Sequence, residues 1–180
     1  MIGKLLRRLV LIAALPALML ALANAAMAQA PCDPSKGCFP VGSNSAGCPD
    51  FNLGLMSSGG NLHTKVFTDK DGDFVRFLQA GKGAVLTFTN LGSDPNNPVA
   101  GKSISIRTDG SVLSVRNNPD GTQTFTATGH NAFILFPTDV PGPATFVYTG
   151  RVVFNVTSEG VFTLVSESGR KRDVCAELAQ

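Results

Sequence analysis

The sequence predicts an all-β fold, an antiparallel β-sandwich of about ten short strands stapled by disulfides. Three observations carry this expectation. Segments of alternating apolar and polar residues recur at short, regular spacing between Leu62 and Glu167, as strands with one wet face do. Turn-forming pairs such as Asp71-Gly72, Asp109-Gly110 and Glu159-Gly160 separate them, supplying the backbone angles that tight reversals need. Downstream of the N-terminal segment, no stretch repeats its apolar residues at helical spacing.

The centre of the predicted core is 129–157. Ala132-Phe133-Ile134-Leu135-Phe136 is a continuous apolar run between Gly129 and Pro137, the pattern of a strand buried on both faces. A Pro/Gly-punctuated loop, Pro137 to Pro143, leads into Thr145–Thr149 and Arg151–Thr157, which alternate. Upstream, Leu62–Thr68 and Asp73–Gln79 flank a hairpin turn at Asp69–Gly72. Ala84–Asn90 places Ala84, Leu86 and Phe88 on one face. Lys102–Thr108 turns Ile104 and Ile106 inward and Ser103, Ser105 and Arg107 outward. Asp109-Gly110 is expected to close a hairpin with Ser111–Arg116. Asn117–Gly121 closes another with Thr122–Thr128. Val161–Glu167 follows, Ser168–Arg172 reads as a turn, and Asp173–Leu178 as a short helix or closing strand.

The N-terminus has the form of an export signal. Lys4, Arg7 and Arg8 precede the apolar Leu9–Ala23, and Ala26-Met27-Ala28 is the small-x-small pattern of a cleavage site. The apolar run is shorter than the roughly twenty residues of a stable membrane span. The expected organisation is therefore a signal peptide over 1–28, a Pro/Gly/Ser-rich leader over 29–47, and a sandwich domain over 48–180. The expected product is secreted, extracellular and not inserted in a membrane.

Cleavage changes the charge balance. The 15 basic residues lose Lys4, Arg7 and Arg8, leaving 12 against 13 acidic ones, a net charge of −1. That balance gives no indication of a nucleic-acid partner. Roughly 150 residues remain, enough for one domain with a substantial core. Cys32, Cys38, Cys48 and Cys175 all lie in the exported part, where disulfides form. Four cysteines allow three pairings. Cys32–Cys38 with Cys48–Cys175 is favoured, the first closing a small ring in the leader and the second tying the start of the domain to its end.

Candidate chemistry is sparse. Asp69, Asp71 and Asp73 alternate like the first ligands of a helix-loop-helix calcium loop. Such loops need Gly at the sixth position and Glu at the twelfth, and Phe74 and Ala80 stand there. The three are read as a hairpin turn, with calcium the one cofactor left open. His130 and Asp139 are the candidate pair for a hydrolase site, but no G-x-S-x-G supplies a nucleophile. Thr122, Thr124, Thr126 and Thr128 form a stripe of hydroxyls on one strand, read as its wet face. Asn155-Val156-Thr157 is a formal glycosylation sequon inside a strand. Arg170-Lys171-Arg172 reads as a solvated basic turn.

The chain resembles a group of small exported β-rich proteins of actinobacteria that have no assigned function. The resemblance rests on Cys48-Pro49-Asp50-Phe51, on Gly129-His130-Asn131 with Ile134-Leu135-Phe136-Pro137-Thr138-Asp139, on Tyr148-x-Gly150-Arg151-Val152-Val153, and on Asp173-x-Cys175. It covers Cys48 to Leu178. It implies the Cys48–Cys175 staple and a β fold, and no activity.

The functional expectation is a secreted, non-catalytic binding or structural module with an extracellular protein or glycan as partner. The loops at 92–101 and 137–143 are its expected contact surfaces. The alternatives are a secreted hydrolase built on His130 and Asp139, and a calcium-stabilised structural protein.

Overall fold

The computed structural model describes residues 38–41, 46–99 and 101–180. The expected signal peptide lies outside them, as do most of the leader and Cys32. Among the described residues, ten strands form two antiparallel sheets, with one short helix after the last strand. The first sheet is built from β1 (Cys38–Pro40), β2 (Leu53–Ser58), β5 (Val85–Asn90) and β6 (Ser103–Arg107), in the order β1-β2-β5-β6. The second is built from β3 (Asn61–Thr68), β4 (Phe74–Lys82), β7 (Val112–Asn117), β8 (Gln123–Leu135), β9 (Ala144–Val156) and β10 (Phe162–Asp173). Its order is β10-β9-β8-β7-β4-β3. Helix α1 (Val174–Leu178) follows β10 directly, with Asp173 capping it by accepting from the Ala176 amide at 3.0 Å.

The all-β class and the strand count agree with the sequence, and three expectations are corrected. Strands β8, β9 and β10 are not short: they run 13, 13 and 12 residues. Gly129 and Gly150 bend them without ending them, and 168–172 is strand rather than turn. Asp109-Gly110 closes no hairpin. It carries the chain from β6 in the first sheet to β7 in the second, which pairs with β4 and β8 instead. Part of the leader is sheet, because Cys38–Pro40 pairs with Gly54–Met56.

The apolar run at 132–135 shows why both faces of β8 are hydrophobic. Ala132 and Ile134, with Val147 of β9, pack against Leu53, Phe88 and Ile106 of the first sheet and Val174 and Leu178 of α1. Phe133 and Leu135 point the other way, into a cluster with Tyr148, Val152, Phe154, Phe125 and Phe162. Phe136 falls beyond the strand and is exposed.

That second cluster is enclosed by one sheet folded on itself. Phe125 and Phe133 are eight residues apart on β8, about 26 Å along a straight strand. Their ring centroids are 6.4 Å apart. The bend lies where Gly129, Gly150 and Gly169 stand opposite one another across β8, β9 and β10. A Cβ on Gly129 would meet the Gly110 carbonyl oxygen at 2.0 Å, and one on Gly150 the Ser168 oxygen at 2.1 Å. Only glycine allows this approach of backbone to backbone. The loop after β8 then closes the fold. Val140 donates to the Phe162 carbonyl at 2.8 Å, and Leu164 donates to the Val140 carbonyl at 2.7 Å.

Cys48 and Cys175 are disulfide-bonded across 127 residues, joining the segment before β2 to α1. Both flank the first core cluster, where Cys48 is fully buried. Cys38 is also disulfide-bonded. Its expected partner, Cys32, lies outside the described residues.

Candidate functional site

The residues nominated as a hydrolase pair are not brought together. His130 is exposed on β8, opposite Thr149. Asp139 lies past the end of the strand, which is itself five residues, or about 17 Å, from His130. Its carboxylate is buried and occupied: Oδ2 accepts from the Phe136 amide at 2.7 Å, and Oδ1 from the Phe162 amide at 2.8 Å. Asp139 thus ties the 137–143 loop to the edge of β10. His130 makes no side-chain hydrogen bond among the described residues.

Of the three aspartates of the first hairpin, Asp69 serves its backbone. Asp69 Oδ1 accepts from the amides of Asp71 at 2.9 Å and Asp73 at 3.0 Å, an Asx-type turn. Asp71 pairs with Lys70 at 3.2 Å. Among the described residues, no group of three or more His, Cys, Asp or Glu is placed to hold a metal ion. Asn155 sits within β9, half-buried, and its Oδ1 is buried without a hydrogen-bond partner. At the end of the second sheet, a cleft of about 320 Å³ is lined by Asn117, Asn118, Thr122, Gln123, Thr157 and Ser158. Its side chains are engaged with one another: Gln123 donates to the Asn117 amide oxygen at 2.9 Å, and Asn118 to the Thr122 hydroxyl at 2.9 Å.

The register places the remaining polar side chains. Residues directly opposite one another share a face, so one face of the second sheet carries Phe125, Phe133, Phe154 and the folded core. The other face is the exterior up to the glycine bend; beyond it, Ala132, Ile134 and Val147 of that face pack against the first sheet. On the exterior, Ser114, Thr126 and Ser166 lie in one row across β7, β8 and β10, and Thr128 and Ser168 in the next. The Thr stripe is therefore part of a two-dimensional array. Arg76, Arg116, Arg151 and Arg170 lie on this face as well, all exposed. Arg170 and Arg172 point outward from β10, whereas Lys171 points inward, with its ammonium 3.9 Å from the Phe146 ring centroid.

The two exteriors treat their hydroxyls differently. On the first sheet they are spent in pairs, Thr87 with Ser105 and Thr89 with Ser103, each at 2.8 Å. On the second sheet, Thr122 and Thr124 donate to Asp120 and Asn118, whereas the hydroxyls of Ser114, Thr126, Thr128, Ser166 and Ser168 make no side-chain hydrogen bond among the described residues.

Sequence reasoning read Arg170 as part of a basic turn and did not connect it with Arg76, Arg116 and Arg151, because the four are scattered from 76 to 170. The available signal was parity: Arg76, Arg116 and Arg151 each stand next to an inward apolar residue, Phe77, Val115 and Val152. No family model, curated protein or solved structure matches this chain.

Proposed function

We propose that this protein is an exported, non-catalytic binding module that engages its ligand through the exterior face of the six-stranded sheet. The observation that supports this reading is the array of unspent hydroxyls at Ser114, Thr126, Thr128, Ser166 and Ser168. A sheet that only needed a wet face could pair them, as the first sheet does. Left unpaired on rigid strands, they can exchange hydrogen bonds with a polyhydroxylated ligand with little loss of side-chain freedom. A glycan is the ligand class this chemistry suits. Export rests on the 1–28 signal, and the Cys48–Cys175 disulfide fits an oxidising compartment.

The test is the thermal midpoint of the mature protein across a panel of neutral and acidic glycans, repeated with Thr126→Val/Thr128→Val. Ligand at a hundredfold excess over Kd stabilises by about 2.7 kcal/mol, a shift of several degrees. Valine keeps the shape and the strand preference, so the variant folds and loses the shift. A full shift in the variant would remove the array from the site.

A further inference from the structure

The exterior face of the second sheet is cationic, although the exported chain has a net charge near zero. Lys65, Arg76, Arg116, Arg151 and Arg170 project from its strands, and no acidic residue does. The acids are elsewhere. Asp69, Asp71 and Asp73, Asp120 and Glu159 lie in turns, and Glu167 is on the inner face, where it accepts from the Tyr148 hydroxyl. Asp109, at the rim near His130 and Lys82, is held by Arg107 at 2.6 Å. Among the described residues, Arg116, Arg151 and Arg170 form no ion pair.

The arrangement has a cost that folding does not explain. Arg76 and Arg116 stand directly opposite each other on β4 and β7, and like charges in that position destabilise a sheet. Arg76 is held over the Phe67 ring at 4.4 Å, which orients its guanidinium. From β4 to β10 the arginines span about 19 Å across the strands, taking the usual strand spacing, and they run diagonally: in the register of β8, Arg116 stands at Thr124, Arg151 at Thr128 and Arg170 at His130. Between them lie the unpaired hydroxyls.

We infer that this face binds a linear acidic polysaccharide, laid diagonally over the strands with its carboxylate or sulfate groups on Arg76, Arg116, Arg151 and Arg170 and its hydroxyls on the Thr/Ser rows. The inference rests on the binding-module reading and specifies its ligand. Guanidinium groups take carboxylate and sulfate in bidentate fashion. The sheet is broad and offers neither a helix nor a ribbon to a duplex groove. From β7 to β10 the exterior presents no Phe or Tyr ring on which single-stranded bases would stack, and Phe67 on β3 lies against Lys65 and Arg76.

The experiment measures binding of the mature protein to heparin and polygalacturonate, with neutral dextran and a single-stranded oligonucleotide as comparisons, over a series of salt concentrations. Arg116→Gln/Arg151→Gln/Arg170→Gln is the test variant, and Lys70→Gln/Lys171→Gln the control that removes cations away from the face. The expected result is binding to an acidic glycan that weakens with salt, falls about tenfold or more in the test variant and is kept in the control. By counterion release, the slope of log K against log salt should drop by about one per arginine removed. All three arginines are exposed, and an unchanged circular dichroism spectrum verifies the fold; the single variant Arg151→Gln repeats the test if the triple variant does not fold. Equal losses in the two variants, or tighter binding to the oligonucleotide than to either acidic glycan, overturn the inference. Binding to dextran that survives the arginine changes overturns it while leaving the binding module in place. Binding to none of the glycans sinks both.

Discussion

Gly129→Ala tests whether the bend in the six-stranded sheet organises the inner core. Gly129 has φ of 84°, and Gly121, in the β7–β8 turn, has the same φ. A Cβ at Gly121 meets nothing within 4 Å, whereas one at Gly129 would lie 2.0 Å from the Gly110 carbonyl oxygen. The left-handed backbone alone costs an alanine about 1–2 kcal/mol at either site. At Gly129 the obstructing atom is backbone, so a strand must move and the bend must open. Opening it separates Phe133 from Phe125 and Phe154, whose centroids lie 6.4 and 5.1 Å away. Aromatic pairs contribute about 0.5–1.5 kcal/mol each, so the two together add about 1–3 kcal/mol to the loss. Gly129→Ala should therefore cost about 2–5 kcal/mol against about 1–2 for Gly121→Ala. Against a total stability of about 5–15 kcal/mol, the first is a large change. The assay is urea unfolding followed by far-UV circular dichroism, since the chain has no Trp. Equal losses in the two variants, within about 0.5 kcal/mol, would refute the account of the bend.

Three further outcomes are expected. Cys48→Ala/Cys175→Ala releases a closure of 127 residues and should cost about 5 kcal/mol in the chain-entropy model, read from the shift of the urea midpoint; a loss below about 1 kcal/mol would contradict it. Asp139→Ala orphans the Phe136 and Phe162 amides and should cost about 2–5 kcal/mol, with Asp139→Asn costing less because one acceptor remains; a neutral Asp139→Ala would mean the loop is held by other contacts. Burial, and then the hydrogen bond to Glu167, raises the Tyr148 hydroxyl above its ordinary value of 10.0. This neutral phenol stabilises the fold fully below pH 10, and the contribution is lost as pH rises from there toward the folded-state value. Unfolding free energy should fall above pH 10 by up to about 1.4 kcal/mol per pH unit from this group. Tyr148→Phe should remove that component of the slope, and an unchanged slope would show that other groups dominate.

The secondary structure was legible because it depends on local pattern. Alternation at 84–90 and 102–108 marked Leu86, Phe88, Ile104 and Ile106 as inward, and all four pack in the first core cluster. The apolar run at 132–135 was readable as doubly buried because a strand with polar residues on neither face has no wet side. Cys48 and Cys175 were paired on the expected compartment and on position, and the resemblance implied the same staple. The positive-φ turns at Gly72, Gly121 and Gly160 announced themselves through Asp-Gly, Asn-Pro-Asp-Gly and Glu-Gly.

Sheet membership was not legible. Asp109-Gly110 looks like any other Asp-Gly hairpin, and only the pairing of β6 with β5 and of β7 with β4 and β8 reveals a crossing between sheets. Gly129 and Gly150 looked like strand ends, because a glycine that stops a strand and one that bends it read alike until a facing backbone is present. The charged face is the clearest case. Net charge sums over the whole chain and carries no direction. Arg76, Arg116, Arg151 and Arg170 come to share one face only when four strands distant in sequence come into register, while the acids that balance them stay in turns and on the inner face. By itself, the sequence determined the strands, most of the turns and the cysteine staple, since these follow from the conformational preferences of adjacent residues. The tertiary structure decided the bend, the sheet crossing and the cationic exterior, because each depends on long-range backbone pairing that no local preference encodes.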